Sequence, residues 1–267
     1  MILEALNYAA SWPVTEAEFR PALKYSVNLW SRAGRCAKAW APHERLCAEE
    51  IGKAVAGLRQ RRTCVVLGSG LLRDVPIREL SRAFDTVLLF DLVHLASVRL
   101  WLALNGLKNV RCISRDLSGF SALERGEPVE PLAFLQTIPY LDLVISANLL
   151  SQIGVGTQKR IEREARVDLP GDAVARLLQA HVDGLKALTP PALLLTDIRF
   201  TIVNKAGAVE DTVDLMHGVA LPEPSASWDW PVAPLGEISK TYGLTHRVIA
   251  TLINGSGTKP VEEGPRS

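Results

Sequence analysis

Short apolar runs alternate with helix-like segments through the middle of this chain. The apolar runs, rich in Val, Leu and Ile, are residues 63–67, 86–90, 110–114, 141–146 and 192–197. Segments with helical periodicity lie between them, at residues 74–83, 93–105, 121–136 and 172–188. Strands that alternate with helices in this way predict a parallel sheet with helices on both faces and right-handed crossovers. We therefore expect a doubly wound α/β fold.

The two ends of the chain follow other patterns. Residues 1–60 predict a helical cap, because apolar residues recur at helical spacing before the first strand. Residues 61–253 predict the α/β domain, and the polar Gly- and Pro-containing residues 254–267 predict a disordered tail.

The last third of the predicted domain has a different pattern from the strand–helix alternation. Residues 199–204 and 209–216 predict a β-hairpin, joined across residues 205–207. Trp228 and Trp230 fall in a predicted proline-rich loop, and residues 246–252 predict a final strand.

A glycine-containing turn follows the first apolar run, and an acid ends the second run. Gly68, Ser69 and Gly70 come directly after the first strand, and Asp91 follows the second. Glycines allow a sharp turn and let a ligand approach the backbone amides. An acid at the tip of the next parallel strand is placed to bind the two hydroxyls of a ribose. This unit therefore predicts a nucleotide-binding site.

Polar residues also end the third and fourth apolar runs, at Asp116 and Asn148. Ligands of doubly wound sheets bind outside the carboxyl ends of the strands, so we expect these side chains to line the same crevice. The dinucleotide fingerprint GxGxxG fails at its third glycine, where this chain has Arg73. A nicotinamide-dependent reductase is therefore disfavoured.

The order of these segments resembles the class I S-adenosylmethionine-dependent methyltransferases. VVLGSGLLRDVP is similar to the first motif of that family, VLLFDLVHLASVR to the second, SRDLSG to the third and LDLVISANLLSQIG to the fourth. PALLLTDI is similar to its fifth strand. The resemblance covers residues 62–200 well and residues 201–253 loosely, where the family expects an antiparallel strand. It implies a Rossmann-like methyltransferase fold with an antiparallel C-terminal strand, and S-adenosylmethionine as cofactor.

The resemblance also implies which residues bind the cofactor. Asp91 corresponds to the ribose-binding acid, and Asp116 and Leu117 to the residues that hold the adenine. The full set of predicted cofactor residues is Gly68, Ser69, Gly70, Asp91, Leu92, Asp116, Leu117, Ala147 and Asn148. The chain departs from the first motif of the family, which usually has an acid at the end of the first strand and a third glycine. Val66, Leu67 and Leu72 occupy that neighbourhood here.

Methyl transfer requires an acceptor pocket, and the predicted helical cap is the natural lid over it. The cap contains aromatic and guanidinium groups that suit a planar or anionic small molecule, although aromatic side chains in helices also pack in cores. The predicted substrate-binding residues are Trp30, Arg32, Arg35 and Trp40.

Histidine is the side chain best suited to remove a proton from an acceptor near neutral pH. His43 and His217 are the candidate general bases, whereas His94 and His181 lie among apolar residues of helices and are predicted to be structural. An amine or phenol acceptor needs a base, but a thiolate or carboxylate does not.

Composition narrows the classes of partner. The formal net charge is +1, so the chain lacks the excess of positive charge expected for nucleic-acid binding. Charged residues interrupt the longest apolar stretch, residues 86–104, so we expect no membrane span. The four cysteines have no metal-binding or disulfide spacing, and no signal peptide is visible, so a cytoplasmic protein without a metal is expected.

Two functional classes stay open on the sequence alone. The first is a methyltransferase that acts on a small-molecule acceptor. The alternative is a noncatalytic or regulatory protein that keeps the fold and binds an adenosine ligand or a protein partner. The oligomeric state is open in both cases.

Overall fold

The computed structural model describes residues 2–163 and 169–253, so the predicted tail of residues 254–267 lies outside the described part of the chain. The helices are α1 (Ile2–Ser11), α2 (Leu23–Arg35), α3 (Ala37–Ala56), α4 (Ile77–Ala83), α5 (Ala96–Leu104), α6 (Phe120–Glu124), α7 (Leu150–Arg163) and α8 (Ala173–Lys186). The strands are β1 (Thr63–Leu67), β2 (Thr86–Asp91), β3 (Val110–Ser114), β4 (Leu141–Ala147), β5 (Ala192–Asn204), β6 (Val209–Asp214), β7 (Ala226–Ala233) and β8 (Tyr242–Ile253).

One mixed sheet organises the molecule, with the strand order β3-β2-β1-β4-β5-β8-β7 and with β6 paired to β5. Strands β1 to β5 run parallel to one another, β8 is antiparallel to β5, and β7 is antiparallel to β8. The predicted doubly wound sheet and its antiparallel C-terminal strand are therefore confirmed. The strand order reverses between β1 and β4, where sheets of this kind open a crevice for a ligand.

Helices cover both faces of the sheet, and β1 shows how the chain achieves this. Cys64 and Val66 pack in the hydrophobic cluster on one face, while Val65 and Leu67 pack in the cluster on the other. Successive side chains of a strand point to opposite faces, so a strand covered on both sides must be apolar throughout. Every residue of β1 is buried, which explains why this run has no polar alternation.

The N-terminal helices belong to one of these two layers. Leu23 and Val27 of α2 and Ile51 of α3 lie in the same hydrophobic cluster as Val66 and the helices α4 and α5. The N-terminal segment therefore packs directly on the sheet. A division into separate units at residue 60 stays a prediction.

Residues 226–233 correct the sequence analysis, because they form the strand β7 where a loop was predicted. The pairing of β7 with β8 shifts register between Trp230 and Ala233, around Pro231. A proline has no N–H to donate to a neighbouring strand, so it is tolerated at an edge or an irregularity. The prolines of this segment therefore suggested a loop although Trp228 is buried against the sheet.

Across the described residues, no helix is both long enough and apolar enough to cross a membrane.

A buried histidine on α8 generates a prediction about acid stability. His181 is fully buried, with its Nε2 atom 3.0 Å from Ser146 Oγ. Burial lowers the pKa of His181 from 6.5 to about 4. The unfolded chain therefore binds a proton that the folded chain excludes, and stability is lost as the pH falls from 6.5 towards 4.

We expect the His181→Gln variant to lose less stability on acidification, because it has no group to titrate there. The slope of the unfolding free energy against pH should decrease by about 1.4 kcal/mol per pH unit in this range. Urea denaturation of both proteins at several pH values measures it. Equal slopes would contradict the account.

Candidate functional site: the crevice at the carboxyl ends of the strands

The turn after β1 passes close to the end of β4, and this fixes the residue at position 68. Gly68 has a φ of 75°, in the left-handed region that side chains disfavour. A Cβ atom added there would lie 2.7 Å from Leu149 Cβ and 2.9 Å from the Ala147 carbonyl oxygen. Only glycine therefore allows the turn to lie against this part of the crevice.

The carboxylate of Asp91 connects the ends of β1 and β2. Its Oδ2 atom accepts a hydrogen bond from the Gly70 amide at 2.7 Å, and its Oδ1 atom accepts one from the Leu92 amide at 2.7 Å. Each carboxylate oxygen has two acceptor sites, so each oxygen has one left for a ligand hydroxyl. The geometry fits the predicted ribose-binding role.

A cleft of about 270 Å³ brings together four of the predicted cofactor residues, namely Asp91, Leu92, Asp116 and Leu117. Asp116 Oδ1 accepts hydrogen bonds from the Ser118 amide and hydroxyl at 2.8 and 2.6 Å. This local turn uses one oxygen of Asp116 and leaves Oδ2 for a ligand.

Asn148 lies at the end of β4 with a φ of 49°. Its Nδ2 atom donates to Asp74 Oδ2 at 2.5 Å and lies 3.4 Å from His43 Nε2. Its Oδ1 atom is buried without a hydrogen-bond partner, as is the hydroxyl of Ser69 in the turn after β1. Buried polar atoms are nearly always paired, so these two atoms are available to a ligand.

Asp74 was missed by the sequence analysis. The loop between β1 and α4 carries it to the end of β4, where burial raises the pKa of its carboxyl group. Among the described residues this carboxyl group forms no ion pair. Its position near the crevice depends on a contact between distant segments, which local sequence patterns do not reveal.

His43, Cys47 and Asp74 have potential metal-ligating atoms within 4.8 Å of one another. However, Trp228 Nε1 donates a hydrogen bond to His43 Nδ1 at 3.0 Å. A neutral imidazole ring that accepts at Nδ1 carries its proton on Nε2, which then has no lone pair for a metal. Burial also raises the pKa of the Cys47 thiol well above its usual range. We therefore assign no metal to this group.

The same hydrogen bond bears on the predicted role of His43 as a base. Burial lowers the pKa of His43 to about 4, so the ring is neutral near pH 7. Its only lone pair accepts the bond from Trp228, and its ring stacks on Trp230 with centroids 4.0 Å apart. The role of His43 as a general base stays a prediction, and it requires this bond to break.

His217 lines a different cavity from the cleft at Asp91, and its role as a general base stays a prediction. His217 is exposed and lines a cavity of about 780 Å³ between α8 and the segment of residues 127–136. No predicted cofactor residue lines this cavity. The structure therefore gives His217 no contact with the cleft at Asp91.

The predicted substrate residues divide into two pairs. Trp30 and Arg35 line a cavity of about 1010 Å³, together with Leu71 and Leu72 of the loop after β1. Arg32 and Trp40 are absent from its lining. Trp40 is buried and donates a hydrogen bond to the Val232 carbonyl at 3.1 Å.

Both arginines of the predicted substrate set face the same acid. Arg35 donates two hydrogen bonds to Glu237, at 2.6 and 3.1 Å, and Arg32 Nε lies 3.6 Å from that carboxylate. The hydrogen bond from Arg35 lowers the pKa of Glu237. An anionic ligand would have to compete with this acid.

A second group missed by the sequence analysis lies beyond the end of β4. Asp197 on β5 is hydrogen-bonded through Oδ2 to His246 Nδ1 at 2.5 Å and through Oδ1 to the hydroxyl of Ser151. Asp197 and Ser151 are buried, and the side chain of His246 is 16% exposed. His246 lay within a predicted strand, where nothing in the local pattern distinguished it.

No protein-family model matches the chain, and no curated protein matches it. Among solved structures, a complex of DhpI with SAM and HEP is 14% identical, covers 84% of this chain and 94% of its own, and has a TM-score of 0.40. A SAM-dependent methyltransferase from Aquifex aeolicus is 12% identical, covers 76% and 89%, and has a TM-score of 0.33. The glycopeptide N-methyltransferase MtfA with (S)-adenosyl-L-methionine is 14% identical, covers 76% of each chain, and has a TM-score of 0.34.

These likenesses are too distant to assign an acceptor, and the 23S rRNA methyltransferase ErmE is similar at a comparable level, with 13% identity and a TM-score of 0.32. The fold class follows from the sheet itself. Five parallel strands in the order β3-β2-β1-β4-β5, followed by the antiparallel β8, form the Rossmann-like sheet that the resemblance to the class I S-adenosylmethionine-dependent methyltransferases predicts.

The two glycines of the turn make a matched pair for testing its geometry. In Gly68→Ala the new methyl group clashes with β4 and the residue keeps a disfavoured φ, whereas in Gly70→Ala it meets nothing closer than 3.8 Å. We expect Gly70→Ala to cost about 1–2 kcal/mol of stability, from backbone strain alone. Gly68→Ala should cost clearly more, as measured by urea denaturation. Equal costs would show that the turn does not lie against β4.

Proposed function

We propose that this protein is an S-adenosylmethionine-dependent methyltransferase that acts on a small molecule. The observation that carries the proposal is the position of Asp91. Its carboxylate is fixed by the Gly70 and Leu92 amides and borders a cleft between the ends of β2 and β3. A fixed acceptor with two open sites is suited to the paired hydroxyls of a ribose.

Within this proposal the chain's own residues bind and orient the cofactor. Asp91 accepts the ribose hydroxyls, Asp116 and Leu117 contact the adenine, and the turn at residues 68–70 approaches the cofactor with its backbone. Leu92, Ala147 and Asn148 contact the rest of the cofactor. The unpaired Ser69 hydroxyl and Asn148 carbonyl support this fit. The bound cofactor supplies an activated methyl group, so the protein must chiefly align the acceptor and exclude water.

We propose that Asp74 holds the positively charged amino-acid end of the cofactor. Leu67 ends β1 without the usual acid, but the following loop brings Asp74 to the neighbouring β4. A half-buried carboxylate without an ion pair gains most from a cationic ligand, since a nearby positive charge stabilises its ionised form. The departure of the first motif from the family pattern would thus be compensated seven residues further along the chain.

The acceptor is proposed to be a planar or anionic small molecule. Trp30 and Arg35 line a cavity that reaches Leu71 in the loop after β1, and Leu71 packs against the same hydrophobic cluster as Trp230. This supports an acceptor site that extends from beneath the helical cap towards Trp230. Glu237 already accepts two hydrogen bonds from Arg35, which leaves the aromatic ring of Trp30 as the free recognition group of the cavity and favours a planar acceptor over an anionic one. The four free cysteines fit the reducing interior of a cell, where we expect the protein to act.

The Asp91→Ala variant tests the ribose contact. Hydrogen bonds to a charged group contribute about 1.5–3 kcal/mol each. Their loss should therefore weaken S-adenosylmethionine binding at least ~10-fold, as measured by calorimetry. Asp91→Asn should also be less stable than the wild type, because an amide can accept only one of the two backbone N–H groups that Asp91 accepts.

Asp229→Ala is the control for this test, because Asp229 is an exposed acid on β7, paired with Arg247 outside the crevice. It should leave cofactor affinity unchanged, and melting temperatures measured in parallel separate affinity from folding. Unaltered affinity in a folded Asp91→Ala protein would remove the main support for the proposal.

The Asp74→Asn variant separately tests the contact with the amino-acid end of the cofactor. We expect S-adenosylmethionine and S-adenosylhomocysteine to bind ~10-fold more weakly, because the amide cannot balance a ligand ammonium group. Adenosine has no amino-acid portion, so its affinity should stay the same. An equal loss for adenosine in calorimetric titrations would mean that Asp74 supports the site only structurally.

A further inference from the structure

The hydrogen bonds of Asp197 fix one nitrogen of His246 and leave the other unpaired. Asp197 Oδ2 accepts from His246 Nδ1 at 2.5 Å, while the Ser151 hydroxyl donates to Oδ1 and holds the carboxylate in place. An ionised carboxylate only accepts hydrogen bonds, so Nδ1 carries the proton of the neutral ring and Nε2 keeps the lone pair. Among the described residues, Nε2 of His246 has no hydrogen-bond partner.

His246 lies in a group of rings that reaches the end of β4. Its ring centroid is 5.7 Å from that of Phe200 and 5.9 Å from that of Trp230. Trp230 stacks on His43, and His43 Nε2 is 3.4 Å from Asn148 Nδ2. The unpaired nitrogen is therefore connected by side-chain contacts to the place where the fourth motif borders the cofactor.

An additional polar atom in this group has no partner. The indole Nε1 of Trp230 is buried and donates to nothing among the described residues. A buried donor and an unpaired imidazole nitrogen on adjacent rings are suited to a flat ligand that carries a polar group.

We propose that His246 is the general base for the methyl acceptor and that Asp197, held by Ser151, is its positioning residue. The inference rests on the proposed methyltransferase function and deepens it. The acceptor is then a planar molecule whose nucleophile is an O–H or N–H group. A thiolate or a carboxylate would need no base.

His246 and Asp197 account for the proton and the positive charge that the methyl transfer releases. The Nε2 lone pair takes the proton from the acceptor as the acceptor's own lone pair forms the new bond to the methyl carbon. The bond from that carbon to sulfur breaks, and its electron pair stays on sulfur. The positive charge lost from sulfur appears on the His246 ring, where the adjacent Asp197 carboxylate stabilises it.

Asp197 and His43 face the ring of His246 from two different elements. Asp197 approaches from β5, and His43, on α3, interacts electrostatically with both Asp197 and His246. The pKa of His43 lies near 4, so His43 adds no charge near neutral pH. Asp197 is therefore the charge that determines the orientation of the base.

Nuclear magnetic resonance tests this placement without knowledge of the acceptor. The reacting atoms must lie about 3–3.5 Å apart and the base about 3 Å from the proton donor. A bound S-adenosylmethionine labelled with ¹³C in its methyl group should therefore show a nuclear Overhauser effect to the His246 ring. Nitrogen-15 shifts of the ring should place its proton on Nδ1.

His246→Asn should abolish this Overhauser effect, and Asp197→Asn should shift the ring proton towards a mixture of tautomers. Calorimetry should show unchanged cofactor affinity in both variants, and His217→Asn, remote from the cleft, should change nothing. Cofactor that binds without the Overhauser effect, or a ring protonated on Nε2, would overturn the inference while leaving the proposed function intact. Cofactor that does not bind the wild-type protein would refute the proposed function itself.

The predicted substrate class has its own test. A panel of phenols, amines, thiols and carboxylic acids can be assayed by release of S-adenosylhomocysteine. We expect turnover of a phenol or an amine, reduced about 10²- to 10⁴-fold in His246→Asn. Turnover confined to thiols or carboxylic acids would overturn the inference.

Discussion

The two hydrogen bonds accepted by Asp91 are the interaction on which the crevice depends. They join the turn after β1 to the start of the segment after β2, across the parallel strands of the sheet. Because the Gly70 amide is held in this way, the turn keeps the left-handed geometry that brings residue 68 against β4. One carboxylate thus shapes three strand ends, and the same residue lines the cleft.

A second group of interacting side chains lies near β4 and β5, on one side of the point where the strand order reverses. There the chain places several buried or partly buried titratable groups, and each has different polar neighbours. Burial keeps His43 neutral, Asp74 accepts a hydrogen bond from Asn148 but forms no ion pair with a described residue, and Asp197 orients His246. The two ends of the crevice therefore differ in their polar groups. The end near β2 and β3 suits a neutral adenosine, and the end near β4 and β5 suits charge and proton transfer.

Much of the fold could be predicted from the sequence because its signals are local. The strands β1 and β3 begin and end at the predicted residues, since apolar runs bounded by turn residues define them without reference to other segments. The cleft around Asp91 and Asp116 could also be predicted from the sequence, because parallel strands bring their carboxyl ends to one edge of the sheet. By contrast, Asp197 and His246 are 49 positions apart, and only the antiparallel pairing of β5 with β8 makes them neighbours. The strand β7 was missed for a related reason. Its prolines indicate a loop locally, but its edge position tolerates them.

The central claim is that the crevice between β1 and β4 binds S-adenosylmethionine. Titration of the wild-type protein with S-adenosylmethionine, S-adenosylhomocysteine, NAD and NADP in one calorimetric series tests it most directly. We predict one site per chain for the first two ligands and no binding of the nicotinamide cofactors. Free ligand at one hundred times Kd should raise the free energy of unfolding by about 2.7 kcal/mol. Tight binding of NAD or NADP without binding of either sulfur-containing ligand would contradict it.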